Sequence, residues 1–241
     1  MTLELSPKLK NRIEDTQLIL YLIDNKVPEQ AKLDIFERVN SGVPLTRQQM
    51  RNSIYCGKGT LWLREAARDI DFLNATGGSI RSETMRDREC INRFCGFYLL
   101  GRQNYRGDMD AMLGETLQSM NKMNEQKLTE LRGRFDTSMR NNYEVFERHA
   151  FRKHIANSET RSVINVALFD VFSVLFAGVN EEVVKANATA IRENFFTLMN
   201  DPNFQYAIGY STNSTRQVNT RFELVNGLMK DLISNVDAPT S

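Results

Sequence analysis

Between Val166 and Val179 the chain reads VALFDVFSVLFAGV, apolar on nearly every side of a helical wheel. Such a helix cannot lie on a surface; it is stable only in the middle of a helical bundle. Asp170 sits inside the run, and the run is too short to cross a bilayer. The apolar pattern predicts this helix over 160–178, with Val163, Val166, Ala167, Phe169, Val171, Phe172, Leu175 and Phe176 in the core.

The rest of the chain supplies the surrounding helices. Proline is scarce, and apolar/polar alternation of period two is rare. Pro28 opens a helix in PEQAKLDIFERVN, with Ala31, Ile35, Phe36 and Val39 near one face and Gly42 as its stop. Thr46, with Gln49 three residues on, has the spacing of a capping box for a helix closed by Gly57 and Gly59. Thr60 is read as the cap of a helix through about residue 75, and TGGS (76–79) as a loop. Residues 82–100 form an amphipathic helix. Asp108 and Asn124 cap two more, the second reaching about Lys153. A helix at 180–199 stops before Asp201-Pro202, and a last one spans about 214–235. The exception is TQLILYLID (16–24), short and apolar on both faces, which reads as a buried strand or as the end of a helix opened by Ser6-Pro7, with the strand favoured. The expectation is therefore a mainly α, multi-helix bundle-like domain over 28–236. A short N-terminal strand or extended segment (1–27) precedes it, and a disordered tail (237–241) follows.

A net charge of +1 sets up no global field toward nucleic acid or an acidic membrane. Arginine outnumbers lysine about two to one. That favours planar, bidentate recognition of phosphate or carboxylate. Cys56, Cys90 and Cys95 form no CxxC pair and read as reduced thiols of a cytoplasmic protein. MTLELSPKLK lacks the pattern of a signal peptide, so no membrane association is expected.

Three stretches invite a chemical reading. CGKGT (56–60) resembles a phosphate loop only superficially, because Gly59 stands where a Ser or Thr must follow the lysine. His149 and His154 are five residues apart, not the i, i+4 spacing that brings two ligands together on a helix. Around them ERHAFRKH (147–154) is locally basic, with Arg148, Arg152 and Lys153. NSTRQVNTRF (213–222) puts Arg216 and Arg221 beside hydroxyls at a helix start, the ingredients of a phosphate corner. No nucleophile–base pair, metal-ligand set or cofactor motif is apparent, so neither a catalytic residue nor a cofactor is expected.

IFERVNSGVPLTRQQMRN (35–52) resembles a signature of the GmrSD-type restriction family, whose members carry a ParB/sulfiredoxin-like NTPase core. The resemblance rests on Phe36, Glu37, Arg38, Asn40, Ser41, Gly42, Pro44, Leu45, Arg51 and Asn52. ALFDVF and TNSTRQVNTRF are weaker matches to the family's helical second half. The family's Asp-Gly-Gln-Gln-Arg motif is absent from this sequence. The resemblance thus implies a helical portion without the catalytic core: a non-catalytic module of a restriction or phage-defence system. It implies a partner NTPase or nuclease subunit, and DNA as a further ligand. Arg38, Asn40, Gly42, Arg47, Arg51, Asn52, Arg216 and Arg221 are the candidate contact residues. The alternatives are a nucleotide-hydrolysing enzyme built on Arg38, Asn40 and Arg51, and a purely structural protein. An exposed strand edge at 16–24 would also invite a homodimer.

Overall fold

The computed structural model describes residues 6–17, 19–20, 22, 24, 26–39, 45–154 and 160–233. Among the described residues twelve α-helices and three short 3-10 turns make up the regular structure, and no strand occurs. The chain divides into two compact units, Met1–Pro44 and Leu45–Ser241.

In the first unit, α1 (Pro7–Glu14) begins on Pro7, whose ring presets the helical φ. Helix α2 (Glu29–Val39) follows Pro28, whose carbonyl accepts from the Lys32 N–H at 3.1 Å. The strand expected over 16–24 does not form: residues 16, 17, 19, 20, 22 and 24 belong to no helix or strand. A strand needs a neighbour to satisfy its backbone, and helices offer none. Ile19, Leu20 and Leu22 stand 78%, 82% and 96% exposed. Ile35 and Val39, expected near one face of α2, are also exposed. Gly42 lies outside the described residues.

The second unit opens with the capping box read from the sequence. Thr46 Oγ1 accepts from the Gln49 N–H at 3.2 Å, and the Gln49 side chain accepts from the Thr46 N–H at 2.7 Å. This fixes the start of α3 (Arg47–Ile54). Helix α4 (Lys58–Ala66) starts earlier than expected. Gly59 lies inside it, where a Cβ would meet Met120 Cβ at 3.0 Å. Thr60 is not the cap; its hydroxyl bonds back to the N–H and C=O of Gly57 from the third position. The single helix expected to about residue 75 is two. Asp69 accepts from the Asp71 N–H at 2.8 Å and starts α5 (Ile70–Thr76), which Gly77 ends in the left-handed region.

Helices α6 (Arg86–Leu99), α7 (Met109–Lys122) and α8 (Glu125–Phe146) follow, the last two capped by Asp108 and Asn124 as expected. Helix α8 ends well short of Lys153 because Glu147 adopts a φ of 48° and the chain turns through a 3-10 turn at Glu147–His149. Helix α9 (Val166–Phe176) is shorter than the apolar pattern. Asn165 caps it by accepting from the Leu168 N–H at 3.0 Å, which leaves Val163 84% exposed before the helix. Then come α10 (Glu181–Asn200), α11 (Pro202–Gly209) and α12 (Thr215–Met229). Helix α11 has no counterpart in the sequence reading. Asp201 caps it through the Asn203 and Phe204 N–H groups, and Pro202 occupies its first position.

Helix α9 is central, packed against α6, α8, α11 and α12. Phe169 meets Phe72 and Phe151, and Phe172 meets Phe146 and Phe195. Among the described residues no helix is long and apolar enough to cross a membrane.

Candidate functional site

Of the candidate residues in 35–52, those on α3 are clamped inside the second unit. Thr46 Oγ1 donates to Thr84 O at 2.8 Å and Gln49 Nε2 to Glu83 O at 3.1 Å, which docks the start of α3 on the turn before α6. One turn later Arg51 points inward and is 2% exposed. Its Nε donates to Gln48 Oε1 at 3.1 Å, Nη1 donates to Asp110 of α7, and Nη2 lies 3.7 Å from Glu89 of α6. Burial pushes the Arg51 pKa down, while Asp110 and Glu89 work the other way. Arg47 extends the cluster, 3.9 Å from Asp110, and Asn52 accepts from Gln48 Nε2 at 3.1 Å. Arg51 therefore ties three helices together and faces no open groove. Arg38 is exposed on α2 in the other unit, and Asn40 and Gly42 lie outside the described residues.

The second candidate, the Arg216/Arg221 phosphate corner, separates in the same way. Arg216 is exposed in the first turn of α12. Arg221 has no exposed surface. Its Nη2 donates to Asp170 Oδ2 at 2.7 Å and its Nη1 to Thr212 O at 2.6 Å. Arg93 of α6 grips the same carboxylate with two parallel bonds, Nε to Oδ1 at 2.7 Å and Nη2 to Oδ2 at 2.5 Å. Arg93 Nη2 also donates to Asn213 Oδ1 at 3.2 Å, and Tyr105 Oη donates to Asn213 O. Asp170 is the one acid of the apolar helix, and it is fully buried.

This centre holds two guanidinium groups against one carboxylate. Burial opposes the Arg93 charge, but the Asp170 carboxylate outweighs it and keeps Arg93 above the ordinary arginine pKa. For Arg221 burial wins and lowers the pKa; Asp170 opposes that and Arg93 adds to it. A buried pair of this geometry orients what it joins more than it adds net stability. Here it joins α6, α9, α12 and the 210–214 loop. It is sealed and presents no nucleophile to a substrate.

The sequence points to none of Arg93, Asp170 or Tyr105 as a site residue, and to Asn213 only as the first residue of the 213–222 stretch. A signal for the centre was present: a lone Asp in a helix apolar all round requires a cation from elsewhere in the chain.

The pseudo-phosphate loop is occupied internally. Asn121 Oδ1 accepts from the Gly59 N–H at 2.8 Å, its Nδ2 donates to Tyr55 O at 3.0 Å, and Lys58 pairs with Glu125 at 3.0 Å. His149 and His154 come together, with ring centroids 3.8 Å apart and planes 8° from parallel. Helical spacing does not apply to them because α8 has already ended. No His/Cys/Asp/Glu cluster able to hold a metal occurs among the described residues.

No protein-family model matches the chain, and no curated protein or solved structure matches it either.

Proposed function

We propose that this chain is a non-catalytic helical module of a prokaryotic restriction or phage-defence system, acting by docking a partner NTPase or nuclease chain. The observation that carries the reading is the exposure of Ile19, Leu20 and Leu22 in the first unit. Three large apolar side chains within four residues, held against water, are a protein-contact surface in waiting. The segment has strand-like composition and no strand partner among the described residues, which suits a partner that contributes a sheet edge. The resemblance of 35–52 to the GmrSD-type signature supports the biological setting. The internal use of Arg51 and Arg221 weighs against a nucleotide site built on those arginines.

The test is co-expression of the full chain with an α/β NTPase or nuclease chain encoded beside it, followed by size-exclusion chromatography. A stoichiometric complex, lost in the Leu20→Asp/Leu22→Asp variant, is the expected result. Absence of a complex, or a homodimer that the same variant dissociates, would overturn the reading. So would ATP or GTP turnover by the isolated chain that disappears in Arg38→Ala.

A further inference from the structure

A second surface lies on the other unit and does not depend on the partner of the first. Where α8 gives way to the 3-10 turn at Glu147–His149, the chain doubles back. The Arg152–Ile164 bridge and the Asn165 N–H to Phe151 O bond (2.8 Å) hold the return, and Asn165 Nδ2 reaches Ile208 O at 2.9 Å. These bonds set the basic segment 148–154 against the end of α11. A Cβ on Gly209 would lie 3.5 Å from Lys153 Nζ, so the lysine ammonium rests on the last turn of α11.

On that turn Tyr206 and Tyr210 stack with centroids 5.3 Å apart and planes 23° from parallel. They are 53% and 66% exposed. Next to Lys153 in the chain, His154 stacks on His149 and lies edge-on to Phe196 of α10. Burial lowers the His149 pKa, and the neighbouring His154, Arg148, Arg152 and Arg161 act in the same direction. Glu147 adjoins this face in sequence, and Asp201 is used as the cap of α11.

We infer that this face, with Tyr206 and Tyr210 as a stacking platform and Arg148 and Lys153 as phosphate contacts, binds single-stranded nucleic acid. Exposed aromatic rings beside exposed cations are what an unpaired strand uses: bases stack and phosphates track the charge, with little sequence preference. A duplex hides its base faces and gains only from the cations. An acidic protein gains from the cations and has no use for the paired rings. The single strand engages both features.

The experiment is fluorescence anisotropy of labelled dT12, dA12 and a 12-base-pair duplex with the full chain, across a salt series. Binding to both single strands should be tighter than to the duplex and should weaken with salt. Tyr206→Ala/Tyr210→Ala should weaken single-strand binding by about 10-fold or more at unchanged salt slope. Lys153→Ala should reduce the magnitude of the salt slope by about 0.7, one phosphate contact. Tyr206→Phe/Tyr210→Phe, which keeps the ring faces, should bind like the parent and separates stacking from any effect on the fold. Equal or tighter duplex binding, no single-strand binding at low salt, or full binding by the alanine pair would overturn the inference. So would polyglutamate competing as well as dT12, since that marks an acidic-protein surface.

Discussion

Asp170→Asn is the sharpest perturbation available in this fold. Asp170 is fully buried and takes three hydrogen bonds from two guanidinium groups. At an effective dielectric of about 20 and a charge separation of about 4 Å, each attraction is worth about 4 kcal/mol before desolvation. Removing the carboxylate charge leaves Arg93 and Arg221 facing each other in the core. Breaking a buried pair in this way costs about 3–5 kcal/mol. For a unit of this size that lowers the melting temperature by about 6–20 °C. Arg221→Met is gentler. Asp170 keeps its bidentate Arg93, the surplus positive charge disappears, and the loss is mainly the donor to Thr212 O, about 1–2 kcal/mol. Urea unfolding followed through Trp62, the sole tryptophan and a buried one, reads the second unit directly. Arg216→Ala, on the exposed first turn of α12, is the control and should stay within about 0.5 kcal/mol of the parent. If Arg221→Met proves as costly as Asp170→Asn, the surplus-charge account is wrong.

Arg51→Ala should cost about 1–3 kcal/mol in the same unfolding assay, because it removes a buried cation shared by Gln48 and the partly exposed, solvent-screened Asp110 and Glu89. Tyr105→Phe, which deletes the hydroxyl donor to Asn213 O, should cost about 1 kcal/mol. A thiol reagent should modify Cys56 alone in the native chain and all three cysteines once it is unfolded. Cys56 is exposed, whereas burial pushes the Cys90 thiol up to about 12 and Cys95 higher still. NMR titration should give His149 a midpoint below the ordinary histidine value. The unfolded chain then takes that proton more readily than the folded one, so acidification through the histidine range subtracts stability.

The sequence made the helix starts legible wherever a short side chain bonds the next turn's N–H. Thr46 with Gln49, Asp108 and Asn124 all cap as their spacing implies. Helix ends were less legible. Glu147 leaves the helix at positive φ without a glycine, and Asp69 splits an apparently continuous helix, so both depend on tertiary context. The candidate site suffered from a related ambiguity. An arginine at a polar helix start reads the same in sequence whether it faces solvent, as Arg216 does, or folds back on a carboxylate, as Arg221 does. The deciding partner, Asp170, lies 51 residues away from Arg221. The stacking of His149 on His154 is hidden in sequence for the opposite reason: it depends on the helix having stopped at Phe146.

The shared carboxylate also orders events as the chain is made. Synthesis delivers Arg93 first, then Asp170, and Arg221 only with the last helix. Before that helix emerges, Arg93 and Asp170 can already neutralise each other, so the growing bundle has an electroneutral centre to collapse around. Arg221 then brings in the one excess charge as α12 closes over the finished interior. A nascent chain stalled short of Arg221 is accordingly missing its lid but not its central ion pair.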